Sequence, residues 1–219
     1  MNKNQLFWEK ILGWFNTYSR SYPWREADDV YYVFVAEFLL QQTHVRKVEP
    51  VYHTITTRYA TIEDLAIADS EEMKSYISPI GLKYRADRMI SAATTIVHRY
   101  NGEVPNTYKE LISLSGIGDY IANAVLCYGY GQNTVPIDTN VIRLFVRYFG
   151  LTSASSRPRT DKKLAQSIRH LFFVELNFRT VNLAVLDFAG IVCTASKPRC
   201  TECPLAGSCC KYQETLTQM

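Results

Sequence analysis

Apolar residues recur at intervals of three and four along nearly the whole of this 219-residue chain, and no stretch alternates apolar with polar positions between turn signals. The helical period is therefore the only regular one present, and the expected fold is all-α. Phe7, Ile11, Trp14, Phe15 and Tyr18 form the stripe of a first amphipathic helix, ended by Pro23. Asp29 to Thr43 is apolar nearly all round, as a buried central helix is, and Glu37 is its anomaly. Thr61-Ile62-Glu63-Asp64 reads as the capping-box start of a short helix, and the Ser70 region starts another. Further helical stretches are Tyr84 to Tyr100, Thr107 to Leu114, Asp119 to Gly129, Asn140 to Phe149, Lys162 to Leu176 and Val181 to Ile191.

A chain of this length buries roughly 70% of its extended surface, so it folds without disulfides. The longest apolar run, Val33 to Leu40, contains Glu37 and is too short to cross a bilayer. The N-terminal MNKNQLFWEK has no apolar core of a secretory signal, so the expected location is the cytoplasm, with no membrane partner. Net charge is only +3, but Thr139 to Thr180 carries eight basic residues against Asp161 and Glu175. Acids gather instead at Glu63, Asp64, Asp69, Glu71 and Glu72, a polarity that suits one face to a polyanion.

The stretch from Cys193 to Tyr212 is too poor in apolar residues to hold itself together, and there four cysteines supply a staple. Cys193, Cys200, Cys203 and Cys209 are spaced C-x6-C-x2-C-x5-C. In a reducing compartment, thiolates gathered so closely bind a metal or a cluster rather than pair. Zinc and iron–sulfur both accept four cysteines, and Cys210 could replace Cys209 on distance alone. Cys127, inside an apolar helical stretch, reads as a small buried hydrophobe. Earlier in the chain, Leu114-Ser115-Gly116-Ile117-Gly118 lies between two helical segments. Its two glycines permit a tight hairpin whose backbone N–H groups, with a helix N-terminus, can hold a phosphate without reading sequence.

The hairpin and the quartet, with Pro23-Trp24-Arg25, Ala36 to Thr43, Asp119-Tyr120, Ile137 to Val141 and Leu186-Asp187-Phe188, occur here in one order. In these pieces the sequence resembles the iron–sulfur branch of the helix-hairpin-helix DNA glycosylases, the endonuclease III superfamily, from Phe7 to Tyr212. The resemblance is strongest to MutY-type adenine glycosylases and MIG-type mismatch glycosylases. It implies a [4Fe–4S] cluster on Cys193, Cys200, Cys203 and Cys209. It also implies two helical lobes with a DNA-facing cleft between them: residues 24–133, with the helix-hairpin-helix at about 107–129, and residues 1–23 plus 134–219 with the cluster. The partner implied is double-stranded DNA containing a mismatched or damaged base, bound by a monomer, nucleoid-associated if the source is a prokaryote.

Breaking an N-glycosidic bond leaves positive charge on the sugar, and the site needs an anion beside it. Asp138 is that candidate, although an Asp before a helix also reads as an N-cap; both roles can coexist, since a helix N-terminus favours an ionised carboxylate. Asn140 matches a family asparagine that helps to fix it. Glu37, buried, is expected to have a raised pKa and to carry a proton or position water at the base. Tyr120 stands where strand-cutting relatives have a lysine, and tyrosine cannot form a Schiff base, so the reaction expected is monofunctional hydrolysis leaving an abasic site. Gln41 and Gln42 match the pair that fills the gap behind an extruded base. His44, Gly116, Gly118, Arg143 and Arg147 are further candidate DNA contacts.

The base removed is expected to be thymine or uracil opposite guanine, because the length and the stretches Arg147-Tyr148-Phe149-Gly150 and Leu186-Asp187-Phe188 look MIG-like. Pro23-Trp24-Arg25 and Leu39 to Thr43 look MutY-like, and the alternative is adenine opposite guanine or 8-oxoguanine. Against that alternative, Gly81-Leu82-Lys83 and Thr139 depart from the MutY pattern, and the chain ends without the domain that reads 8-oxoguanine. Ser115 stands where relatives usually have proline. A second alternative is a damage-binding protein that does not cleave, against which Glu37, Tyr120, Asp138 and Asn140 occur together.

Overall fold

The computed structural model describes residues 1–172 and 177–217. Among these every regular element is helical. In chain order the α-helices are α1 (Lys3–Tyr18), α2 (Val30–Leu40), α3 (Val45–Arg58), α4 (Ile62–Ala66), α5 (Ser70–Ile77), α6 (Tyr84–Tyr100), α7 (Tyr108–Leu111), α8 (Asp119–Ala124), α9 (Thr139–Phe149), α10 (Lys162–Leu171), α11 (Phe178–Ile191) and α12 (Cys210–Thr217). The chain divides into two compact units, Ser21–Pro136 and the pair of segments Met1–Arg20 and Ile137–Met219.

In the Ser21–Pro136 unit, α2 is the core element, with eight of its residues buried, as expected for a helix apolar on every side. Helices α3, α6 and α8 pack on it. Local chemistry sets the helix starts. Asp29 caps α2 through the Tyr31 N–H, and Thr61 and Asp64 form the expected capping box of α4. Helix α3 is not among the helices expected from the sequence. Pro50 sits inside the helix, yet Val48, Val51, Tyr52 and Ile55 still make a buried stripe at helical spacing. The stretch from Asp119 to Gly129 is not one α-helix either, because a π-helical turn over Val125–Gly129 follows α8.

In the other unit, α9 packs against α10, α11 and α12, and α1 packs along α11. Phe7 and Trp8 meet Phe145, Tyr148 and Phe172 at ring-centroid separations of 5.0 to 6.3 Å, spacings at which aromatic pairs gain beyond their buried area. Helix α10 ends at Leu171; the stretch from Phe173 to Leu176, included in the expected helix, lies outside the described residues. The C-terminal loop gains a helix, α12, beyond the cysteines.

Asp187, fully buried on α11, receives the backbone N–H of Arg20 at 2.9 Å and its Nε at 2.7 Å, tying the end of α1 to α11. Asp187→Ala is expected to destabilise the protein by about 2 kcal/mol, less than for a wholly buried pair because Arg20 keeps some access to water. A thermal melt should show a fall of about 4–8 °C.

Candidate active site

The buried Val135 and Pro136 lead the chain towards α9, and Asp138, in an extended conformation, is the N-cap. Its Oδ1 accepts the backbone N–H groups of Asn140 and Val141, both at 2.8 Å, and its Oδ2 accepts Asn140 Nδ2 at 2.7 Å. Three donors thus fix the direction of a half-buried carboxylate. The N-cap role and a chemical role are compatible, as Oδ2 accepts a single bond and retains a lone pair.

Asn140 is itself held. Its Oδ1 accepts Arg143 Nη2 at 2.8 Å, and the same guanidinium donates to the carbonyls of Cys193, at 2.8 Å, and Ala189, at 2.9 Å. Burial holds the pKa of Arg143 below its ordinary value. One turn later, Arg147 donates to the carbonyls of Thr194, at 2.6 Å, and Ala195, at 2.9 Å, and approaches Cys193 Sγ at 3.5 Å. Both arginines, expected from sequence as DNA contacts, also donate to the backbone of the last turn of α11 and the residues that follow it. They link the Asp138 turn to the cysteine loop.

Cys193, Cys200, Cys203 and Cys209 line one cavity of about 320 Å³. Cys210 does not. Its Sγ accepts Lys3 Nζ at 3.0 Å and lies 3.3 Å from where a Cβ on Gly150 would stand. Four thiols lining one cavity are a donor set that an iron–sulfur cluster takes. Burial pushes the Cys203 thiol up to about 11 and also raises Cys209. Thiolates in such a cavity need the positive charge of a metal centre. An iron–sulfur cluster held by these four cysteines would fix the loop from 193 to 209.

In the Ser21–Pro136 unit, Glu37 is 4% exposed on α2, and Tyr120 is half-buried in the first turn of α8. Gln41 caps the C-terminus of α2 and donates from Nε2 to the Gly116 carbonyl at 3.3 Å, joining that helix end to the hairpin. Gln42 is exposed and left-handed, at φ 52°, and His44 is exposed at the N-cap of α3. At Gly116 φ is +79°, and a Cβ would stand 2.9 Å from the Phe38 ring and 3.0 Å from Arg88 Cβ, so only glycine fits. Gly118 caps α8, and a Cβ there would meet nothing within 4 Å, which leaves its backbone accessible. Arg85, passed over in the sequence, is fully buried against the end of α2. Its signal was its place on the stripe of Met89, Ala92 and Ile96.

The chain matches the HhH-GPD superfamily base excision DNA repair proteins over residues 35–170, and the iron–sulfur binding domain of endonuclease III over residues 193–209. It is 37% identical to a thymine/uracil-DNA glycosylase of Pyrobaculum aerophilum, over 95% of this chain and 92% of that protein. An adenine DNA glycosylase of Buchnera aphidicola subsp. Baizongia pistaciae is 29% identical over 94% of this chain but only 58% of its own length. The solved structure of a thermostable thymine-DNA glycosylase superposes with a TM-score of 0.89 at 31% identity, covering 97% of both chains. With the hairpin, the fixed carboxylate and the cysteine-lined cavity, these likenesses establish that the chain belongs to the HhH-GPD superfamily of base excision DNA repair proteins and is a DNA glycosylase of its iron–sulfur branch.

Proposed function

We propose that this glycosylase removes thymine or uracil mispaired with guanine, acts as a monomer, and uses water rather than an enzyme amine as the nucleophile. The observation that carries the reading is the Asp138 carboxylate, aimed by three N–H donors at the start of α9. As the base leaves, positive charge grows on the deoxyribose, and a preorganised anion lowers that barrier without reorganising. Asn140 holds Oδ2, and Arg143 holds Asn140. Glu37 positions water or hydrogen-bonds the base from α2. Tyr120 offers no amine for a Schiff base. Gln41 and Gln42 occupy the space of the extruded base, and Gly116, Gly118 and His44 meet the phosphate backbone.

The near end-to-end likeness to a thymine/uracil-DNA glycosylase supports the choice of base. Duplexes carrying G·T, G·U, A·G and A·8-oxoG pairs, incubated with the protein and then treated with hot alkali, test it. Strand breaks are expected at T and U; breaks at A with none at T or U would overturn the substrate, and no breaks at all would favour a binder. Borohydride should trap no covalent complex with the native protein, whereas Tyr120→Lys is expected to create one. Trapping by the native protein would refute the monofunctional reaction.

A further inference from the structure

Arg85 is 1% exposed, and none of the ion pairs among the described residues includes it. Its Nη1 donates to the Leu39 carbonyl and its Nη2 to Thr43 Oγ1, both at 2.7 Å, while Nε has no hydrogen-bond partner. A guanidinium buried on neutral acceptors is costly, and an apolar side chain of like volume would serve the core better. Burial also lowers its pKa. What the cation holds is the end of α2, where the helix dipole is negative.

From there the bonds run into the turn. The Thr43 hydroxyl accepts from Arg85 and donates to the Gln41 carbonyl at 3.0 Å, and the Thr43 N–H donates to the Leu40 carbonyl at 3.3 Å. Gln41 reaches the Gly116 carbonyl. Enclosed by these anchors, Gln42 keeps a left-handed backbone that a non-glycine residue adopts only when its surroundings impose it, and its side chain is exposed.

We propose that Arg85 is a positioning residue, which holds the Gln41–Thr43 turn in the conformation from which Gln42 enters the duplex as the mismatched base leaves it. This rests on the role given above to Gln42. Arg85 would thereby act on extrusion, not on the bond-breaking step and not on general affinity for DNA.

Arg85→Met tests it with three readouts. Without DNA, amide hydrogen exchange at Thr43 should quicken about tenfold while exchange along α2 stays unchanged. The melting temperature should stay within a few degrees of the native protein's, since removal of a buried charge offsets the loss of the donor to the Leu39 carbonyl and the Thr43 hydroxyl. With a G·U duplex bearing 2-aminopurine beside the uracil, the fluorescence rise on extrusion and the single-turnover excision rate should both fall about 100-fold. The Kd for an undamaged duplex, set by phosphate contacts, should stay within about threefold. Arg85→Lys should recover only part of the loss, because an ammonium lacks the fork that reaches both acceptors. Native exchange at Thr43 in Arg85→Met would overturn the proposal. So would a fall in activity that tracks a lowered melting temperature with exchange raised throughout α2. If the native protein excises no uracil, the assignment of the site fails instead, and exchange at Thr43 still decides whether Arg85 holds the turn.

Discussion

Asp138→Asn is expected to reduce the single-turnover rate of base excision by about 1000-fold while leaving the fold intact. The two effects separate because Asn is as good an N-cap as Asp, and its carbonyl oxygen can still accept the N–H groups of Asn140 and Val141. What is lost is the negative charge beside the developing sugar cation. The substituted amide also places a donor where Asn140 Nδ2 now donates to Oδ2, a local mismatch worth about 1 kcal/mol. The melting temperature should therefore fall by only a few degrees. Asp138→Ala removes cap and charge together, so it should lose both activity and stability. Alkali-cleavage time courses with a G·T duplex, run beside thermal melts, measure the two effects. Excision by Asp138→Asn at a rate within about tenfold of the native protein would mean that Asp138 serves α9 and not the reaction.

The second large effect concerns neighbouring cysteines. Cys203→Ala should abolish the brown colour and the bound iron and sulfide, and with them most soluble protein, because metal binding and folding of such a loop are one free energy of roughly 10 kcal/mol or more. Cys210→Ser should keep colour, iron and excision, since its sulfur lies against Lys3 and Gly150 rather than in the cavity. Any Cys203→Ala protein that survives should excise poorly. The Cys193 carbonyl would no longer be held for Arg143, which in turn holds Asn140 against Asp138. Metal analysis, absorbance and the excision assay on the two variants decide the matter. Equal iron loss in both would show that Cys210 takes part in ligation, and full iron in Cys203→Ala would remove Cys203 from the ligand set.

Helix starts were readable because they depend on bonds between residues two or three apart. The Thr61–Asp64 box and the Asp138 cap are contained in single short stretches. Helix α3 was not among the expected helices, and in it Pro50, a helix breaker on propensity, is tolerated because Val48, Val51, Tyr52 and Ile55 bury the opposite face. The pattern was present, but its weight comes from tertiary packing. Arg143 and Arg147 show what short intervals leave out. Two arginines one turn apart on a basic stretch suit a polyanion, and the structure adds acceptors the stretch does not show, backbone carbonyls 46 to 50 positions away. A carbonyl is common to every residue and leaves no mark on the sequence that would reveal such a partner.

The sequence alone determined the helical class, the cysteine spacing and the types of chemical group at 37, 120 and 138, because periodicity, ligand softness and nucleophilicity are properties of residues and short intervals. Only the tertiary structure decided that Cys209 and not Cys210 faces the cavity, that Arg143 braces the Asp138 turn, and that Arg85 lies buried against the end of α2. Each of those choices turns on the direction of one side chain relative to groups far along the chain, and direction is set by packing.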